Sequence, residues 1–441
     1  MPKSRPVEEA GQAPDVIDAI IVGAGFAGLY MLHKLREIGI SARIYEAGSD
    51  VGGTWFWNRY PGARVDVESQ EYSYSFSPEL EAEWEWTERY AAQPELLKYV
   101  NHVADRFDLR RDIRFDTRVA SAVYDETRDR WTVTTDTGDT VSARFCIMAT
   151  GCLSAAKQPD IPGAGSFTGE TYSTAIWPEE GVDFSGKRVG VIGTGSSGIQ
   201  TITTIAPQVA ELTIFQRTPN FSVPAQNGPI NPEVAADWKA NREHYRDLQR
   251  KSGAGILQVS PSETLTFDAS PDERRRAFED RWARGGFSLL GAFADVNIDK
   301  QANDEAAAFV ADKIRSIVDD PDVAERLIPT TYPVGAKRMC VDTGYYQVFN
   351  QDNVALVDLR STPIQAITPT GIRTTAQDYE LDAIVYAIGF DAMTGALDRI
   401  DIRGRDGLRL SDKWADGPLT YLGLMVSGFP NLFMITGPGS P

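Results

Sequence analysis

Two short glycine runs carry the first chemistry in this sequence. In DAIIVGAGFAGLYMLHKLREIGISARIYEA, Gly23, Gly25 and Gly28 stand at the spacing GxGxxG, and Glu46 follows 18 residues after the last of them. Glycines so placed permit a tight turn and let backbone N–H groups approach a pyrophosphate at a helix N-terminus. A carboxylate closing the next strand can accept bonds from ribose hydroxyls. In KRVGVIGTGSSGIQTITTIAPQVAELTIFQRTPN the fingerprint recurs as Gly193, Gly195 and Gly198, but the strand after it ends on Gln216, Arg217 and Thr218. An acid there repels a 2′-phosphate, whereas an arginine makes charge-assisted bonds to it. The second unit therefore reads as preferring NADPH; the alternative for Arg217 is a solvated loop charge. Two units imply two dinucleotides, one held permanently and one exchanging: FAD in the first unit, NADPH in the second.

The elements that must position these glycines follow from hydrophobic spacing. Ile20 to Val22 form a short apolar strand, and Leu29, Leu32, Leu35 and Ile38 recur on one helical face until Gly39 stops the helix. Val189, Val191 and Ile192 repeat the strand, Pro207 ends the second helix, and Leu212 to Phe215 form the next strand. FCIMATG (Phe145–Gly151) and AIVYAIGF (Ala383–Phe390) read as buried strands that return the chain to a nucleotide-binding sheet and mark crossings between domains. Residues 221–330 are helix-rich and strongly charged, with Asp272 and Glu273 near a helix start and no residue that can be given a role. The expected fold is α/β, with two Rossmann-like dinucleotide-binding domains and a helical insertion. The expected limits are a leader at 1–17, an FAD-binding domain at 18–150 and 383–441, an NADPH-binding domain at 151–220 and 331–382, and the insertion at 221–330.

Bulk properties narrow the function. The chain has 441 residues, too many for one ordinary core, and a formal net charge of −18. Such a polyanion is repelled by nucleic acid and by anionic membrane surfaces, so neither is an expected partner. No apolar run approaches a bilayer span, and the polar start is no signal peptide. Cys146, Cys152 and Cys340 form no CxxC pair, and His33, His102 and His244 have no metal-ligand spacing. A reducing, cytoplasmic setting without metal fits, and the sequence fixes no oligomeric state.

At VGGTWFWNRYPGARVDVES the pattern becomes specific. Gly53, Trp55, Tyr60, Pro61, Gly62 and Asp66 resemble the long signature of the Baeyer–Villiger flavoprotein monooxygenases, in the branch acting on steroid, aryl and small ketones. FTGETYSTAIWP resembles that family's second signature through Phe167, Gly169, Trp177 and Pro178, with Ser173 where the family has histidine. GAKRMCVDTGYYQVFNQDNVALVD resembles its active-site segment, with Lys337 and Arg338 in register. The resemblance implies an FAD- and NADPH-dependent enzyme that inserts one oxygen atom of O2 beside a ketone carbonyl, through a C4a-peroxyflavin, giving an ester or lactone. It implies catalytic roles for Arg338, which supplies positive charge, and Asp66, which positions that arginine. Arg217, Thr218 and Lys337 would surround the 2′-phosphate. The cofactor-binding set also takes in Gly53, Thr54, Trp55, Asp66, Tyr72, Val119, Ser196 and Ser197. From the residues alone, Lys337–Arg338 also reads as an exposed basic pair, Asp66 as a turn residue, and Trp55, Trp57 and Tyr60 as plain core.

Two departures leave other readings open. Serine at position 173 cannot be cationic near neutral pH, so coupling of NADPH use to oxygenation is expected to be poor. In the family a helix and a further stretch follow GFPNLFMITGPGSP, so the chain reads as a shortened form. An N- or S-oxygenating relative, an uncoupled NADPH oxidase and an inactive nucleotide-binding relic are the alternatives.

Overall fold

A computed structural model of the chain describes residues 15–260 and 262–440. Most of the expected leader lies outside them, but Asp15, Val16 and Ile17 already belong to the first strand, Asp15–Val22. The chain divides into two compact units: residues 1–56, 100–155 and 390–441 form one, and 57–99 with 156–389 form the other.

The first unit is built on an eight-stranded sheet. Asp15–Val22 lies at its centre, parallel to Ala42–Tyr45 on one side and to Thr140–Met148 on the other. Thr140–Met148 also carries Arg130–Thr135 antiparallel and Leu432–Met434 parallel. The helix Phe26–Glu37 buries Leu29, Leu32 and Leu35 against Ile21 and Ile44. Ile38, expected on that face, is 69% exposed, because it is the C-cap residue and the chain turns away there at Gly39, φ +76°. The opposite sheet face packs Ile20, Trp131, Met148, Trp414 and Phe429 into a second core.

The second unit holds a five-stranded, all-parallel sheet in the order Val354–Asp358, Glu211–Gln216, Arg188–Ile192, Ala383–Tyr386, Glu170–Ser173. Two expected limits move here. Residues 57–99, placed with the FAD domain by sequence, belong to this unit, and Ala383–Tyr386 is a strand of its sheet. The reason for the first is close packing. Gly62, at φ +80°, lies so near the helix Ser196–Ile205 that a Cβ would sit 2.2 Å from Thr204 Oγ1 and 2.5 Å from Gln200 O. The Tyr60 hydroxyl donates to Gln200 Oε1 at 2.9 Å beside it. The helices of 221–330 are present, Ser270 and Glu273 forming a capping box on Pro271–Arg284, and they are part of the same unit.

Candidate functional site: two nucleotide cradles and an arginine–aspartate pair

In the first unit, strand register delivers Val22 to the turn, and Gly23 N donates to Tyr45 O at 2.9 Å. Gly23, at φ +105°, has Ala149 O where a Cβ would be, 2.6 Å away, and a Cβ on Gly28 would lie 1.9 Å from Gly23 O. Only glycine lets this helix start sit so close to the strand. Gly53 packs its Cα against Gly25, where a Cβ would come within 2.8 Å. The helix has no side-chain cap and no acid in its first turn, so its leading N–H groups remain for an anion. Buried Glu46 accepts from Ala24 N at 2.7 Å and Gly48 N at 2.8 Å, and each carboxylate oxygen keeps a further acceptor site. Burial raises its pKa against the pull of these backbone donors. Thr117 N donates to Glu46 O, which brings the strand beginning at Val119 to the same end of the sheet. Thr54 and Trp55 open the short helix Thr54–Trp57, Trp55 being buried with its N–H on Gly52 O.

The second unit repeats the device. Gly193 N donates to Phe215 O, and a Cβ on Gly193 would lie 2.4 Å from Ala387 O. One on Gly198 would lie 2.3 Å from Gly193 O. Gly195, the uncapped N-cap of Ser196–Ile205, meets nothing within 4 Å, so the approach to this helix start is open. Thr174 from the linker after Ser173 shares a 3.0 Å bond with Ser197, and Ser196 lies 3.5 Å from the buried thiol of Cys340, which burial pushes up to about 11. Both cradles thus have the uncapped helix start and the close glycine packing that a dinucleotide requires.

A pair of three-residue strands, Ser222–Pro224 and Cys340–Asp342, then joins distant segments. Cys340 N donates to Phe221 O at 2.8 Å, so the loop of Arg217 and Thr218 and the segment of Lys337 and Arg338 lead into paired strands. Arg338 donates through Nε to Asp66 Oδ2 at 2.6 Å and through Nη2 to Asp66 Oδ1 at 2.7 Å. Its charge centre lies 4.8 Å from the Phe287 ring, and its side chain remains 61% exposed. The bond to Asp66 raises the Arg338 pKa above its ordinary value, and Tyr72 adds to the effect. Ser173 closes the strand Glu170–Ser173 and accepts from Ala175 N at 3.3 Å, while Trp177 packs in a cluster with Tyr172 and Phe184.

The structure therefore groups Gly23, Gly25, Gly28, Glu46, Gly53, Thr54, Trp55 and Val119 in one unit. Gly193 to Gly198, Arg217, Thr218, Lys337, Arg338, Asp66 and Tyr72 are in the other. Sequence reasoning missed Phe287, beneath Arg338, and Tyr332, whose ring lies 4.3 Å from Lys337 Nζ. The double glycine Gly285–Gly286 was the available signal for Phe287: a Cβ on Gly286 would lie 2.2 Å from both Tyr90 Oη and Gln258 Oε1.

Comparison with known proteins agrees with this geometry. A family model for pyridine nucleotide-disulphide oxidoreductases matches residues 20–267. A Baeyer–Villiger monooxygenase of Pseudooceanicola batsensis is 47% identical over 431 residues, covering 96% of this chain and 78% of its own. Among solved structures, oxidized steroid monooxygenase bound to NADP superposes with a TM-score of 0.93 at 57% identity, over 97% of this chain and 81% of that one. OTEMO in complex with FAD and NADP gives 0.94 at 46% identity, over 97% and 82%. With two glycine cradles of the right build and relatives of this closeness, the chain belongs to the Baeyer–Villiger monooxygenases and is an FAD- and NADPH-dependent flavin monooxygenase.

Proposed function

We propose that this enzyme oxidises a small-molecule ketone to an ester or lactone, with Arg338 as the group that meets developing negative charge. In the balance, ketone, O2, NADPH and a proton give ester, NADP+ and water, one oxygen atom entering the carbon–carbon bond beside the carbonyl. Gly23, Gly25, Gly28, Glu46, Gly53, Thr54, Trp55 and Val119 would hold FAD. Gly193, Gly195, Ser196, Ser197, Gly198, Arg217, Thr218 and Lys337 would hold NADPH. FAD, reduced by NADPH, supplies the oxygen-activating chemistry when bound. The observation that carries the reading is the two-point bond from Arg338 to Asp66. It occupies Nε and one Nη2 hydrogen, leaving the remaining N–H groups to face an oxyanion, and it fixes the plane in which they point. Tyr72, half-buried, also raises the Arg338 pKa.

Three free cysteines go with a reducing, cytoplasmic setting, and no helix among the described residues is long and apolar enough to cross a membrane. Ser173 favours a second reading, in which NADPH consumption runs ahead of ester formation. The test is Arg338→Ala assayed with cyclic, aryl and steroid ketones. Bound flavin and its bleaching by NADPH persist, while ester formation falls by about 10²–10³. Protein that purifies without flavin, or ester formation untouched by the substitution, overturns the proposal.

A further inference from the structure

Lys337 and Arg217 stand out in a chain of net charge −18. Among the described residues neither has a carboxylate at ion-pair distance. Lys337 lies instead over the Tyr332 ring, 4.3 Å from its centroid. A ring attracts the ammonium without neutralising it, so the full charge stays available to an anion. The same tyrosine is anchored at its other end. Its hydroxyl lies 2.8 Å from Pro219 O and 3.0 Å from Asn220 Oδ1, acceptors that share its single proton. Asn220 in turn donates to Thr194 O at 2.5 Å, and Thr194 Oγ1 donates to Thr218 O at 3.2 Å. The edge of Phe221 meets the ring at 5.6 Å and 85°. One side chain thus touches the lysine, the loop that follows Arg217 and Thr218, and, through Asn220, the glycine turn.

We propose that Tyr332 is a specificity-determining positioning residue, setting the preference for NADPH over NADH by holding Lys337 and the Arg217–Thr218 loop in one arrangement around the 2′-phosphate. This rests on reading Arg217, Thr218 and Lys337 as that phosphate's site. A purely structural tyrosine would weaken NADP+ and NAD+ alike; one acting through Lys337 weakens only the coenzyme that carries the phosphate.

The test measures dissociation constants of NADP+ and NAD+ for the flavin-loaded enzyme and for Y332F, Y332L, K337A and Y332L/K337A. Y332F keeps the ring and loses the hydroxyl tie, and weakens NADP+ about fivefold. Y332L loses both, and the ratio of NAD+ to NADP+ dissociation constants falls about tenfold. In the K337A background the leucine substitution lowers that ratio by less than it does alone, about fivefold at most, since only the tie to the Arg217–Thr218 loop remains for it to act through. A ratio that falls in K337A but holds in both Tyr332 variants overturns the role of Tyr332 alone. A ratio unmoved in K337A overturns the phosphate-site reading and this inference with it.

Discussion

Replacing Asp66 by alanine separates what its bond to Arg338 does for the fold from what it does for the reaction. Both side chains reach solvent, 61% for Arg338 and 26% for Asp66, so the pair contributes only about 0–1 kcal/mol to stability. The melting temperature of D66A therefore falls by at most about 4 °C. Position is a different matter. Two charge-assisted bonds in a bidentate arrangement fix the guanidinium plane. Among the described residues its charge also lies over the Phe287 ring at 4.8 Å, whose attraction at so exposed a site is about 0.5–1 kcal/mol. Without the carboxylate the ring loses to the rotamer freedom of a long, solvated side chain, so the arginine leaves its place. The donor it presented to the oxyanion goes with it, and ester formation drops by about 10²–10³. Asp66→Asn keeps one acceptor for the guanidinium and loses roughly tenfold. The assay is product formed per second at saturating ketone and NADPH, beside stopped-flow reduction of the flavin, which tests that the cofactors still meet. If D66A folds, is reduced normally and forms ester within threefold of the parent, Asp66 does not position Arg338 for the reaction.

Burial pushes Glu71 up to about 7 from an ordinary 4.5, while it accepts from Leu257 N at 2.7 Å. The folded chain then keeps a proton that the unfolded chain releases. Stability from this group is complete below pH 4.5 and is lost as pH rises through 7, by about 3 kcal/mol at most. Glu71→Gln should flatten the difference in melting temperature between pH 5 and pH 8; an unchanged difference removes Glu71 as its source. Gly28→Ala and Gly198→Ala should part the two cofactors, with Cβ atoms 1.9 Å from Gly23 O and 2.3 Å from Gly193 O. The first should purify with little flavin, and the second should keep its flavin and bind NADP+ more than about tenfold more weakly. Flavin absorbance and NADP+ titration read these out, and normal occupancy of both sites in both variants would refute the close-packing argument. Ser173→His should raise product formed per NADPH oxidised; a flat ratio would place the cause of any uncoupling elsewhere.

What was legible in the sequence, and what was not, divides by distance along the chain. The glycine turns could be read because every part of each lies within one strand–helix–strand run, and the periods of two and 3.6 announce the partners. Residues 57–99 group with the second unit through contacts between distant segments, Gly62 against Gln200 and Asp66 against Arg338 among them, which no hydrophobic pattern records. The Asp66–Arg338 pair spans 272 positions and Tyr332–Pro219 spans 113. Both are brought within reach near strands of three residues each, too short to show an alternation. A resemblance could name Asp66 and Arg338, since family motifs preserve residue identity. It said nothing of Tyr332 or Phe287, each of which presents an aromatic face to a cation. Residues that touch ligand leave a motif, whereas those that shape the charge leave only a ring at a given distance. In this chain the cations Lys337 and Arg338 sit side by side in sequence, yet one rests on a ring and the other on a carboxylate. Under the proposed roles the same residue chemistry would serve two ends: an undiluted charge for an anion that comes and goes, and an aimed one for charge that develops in place.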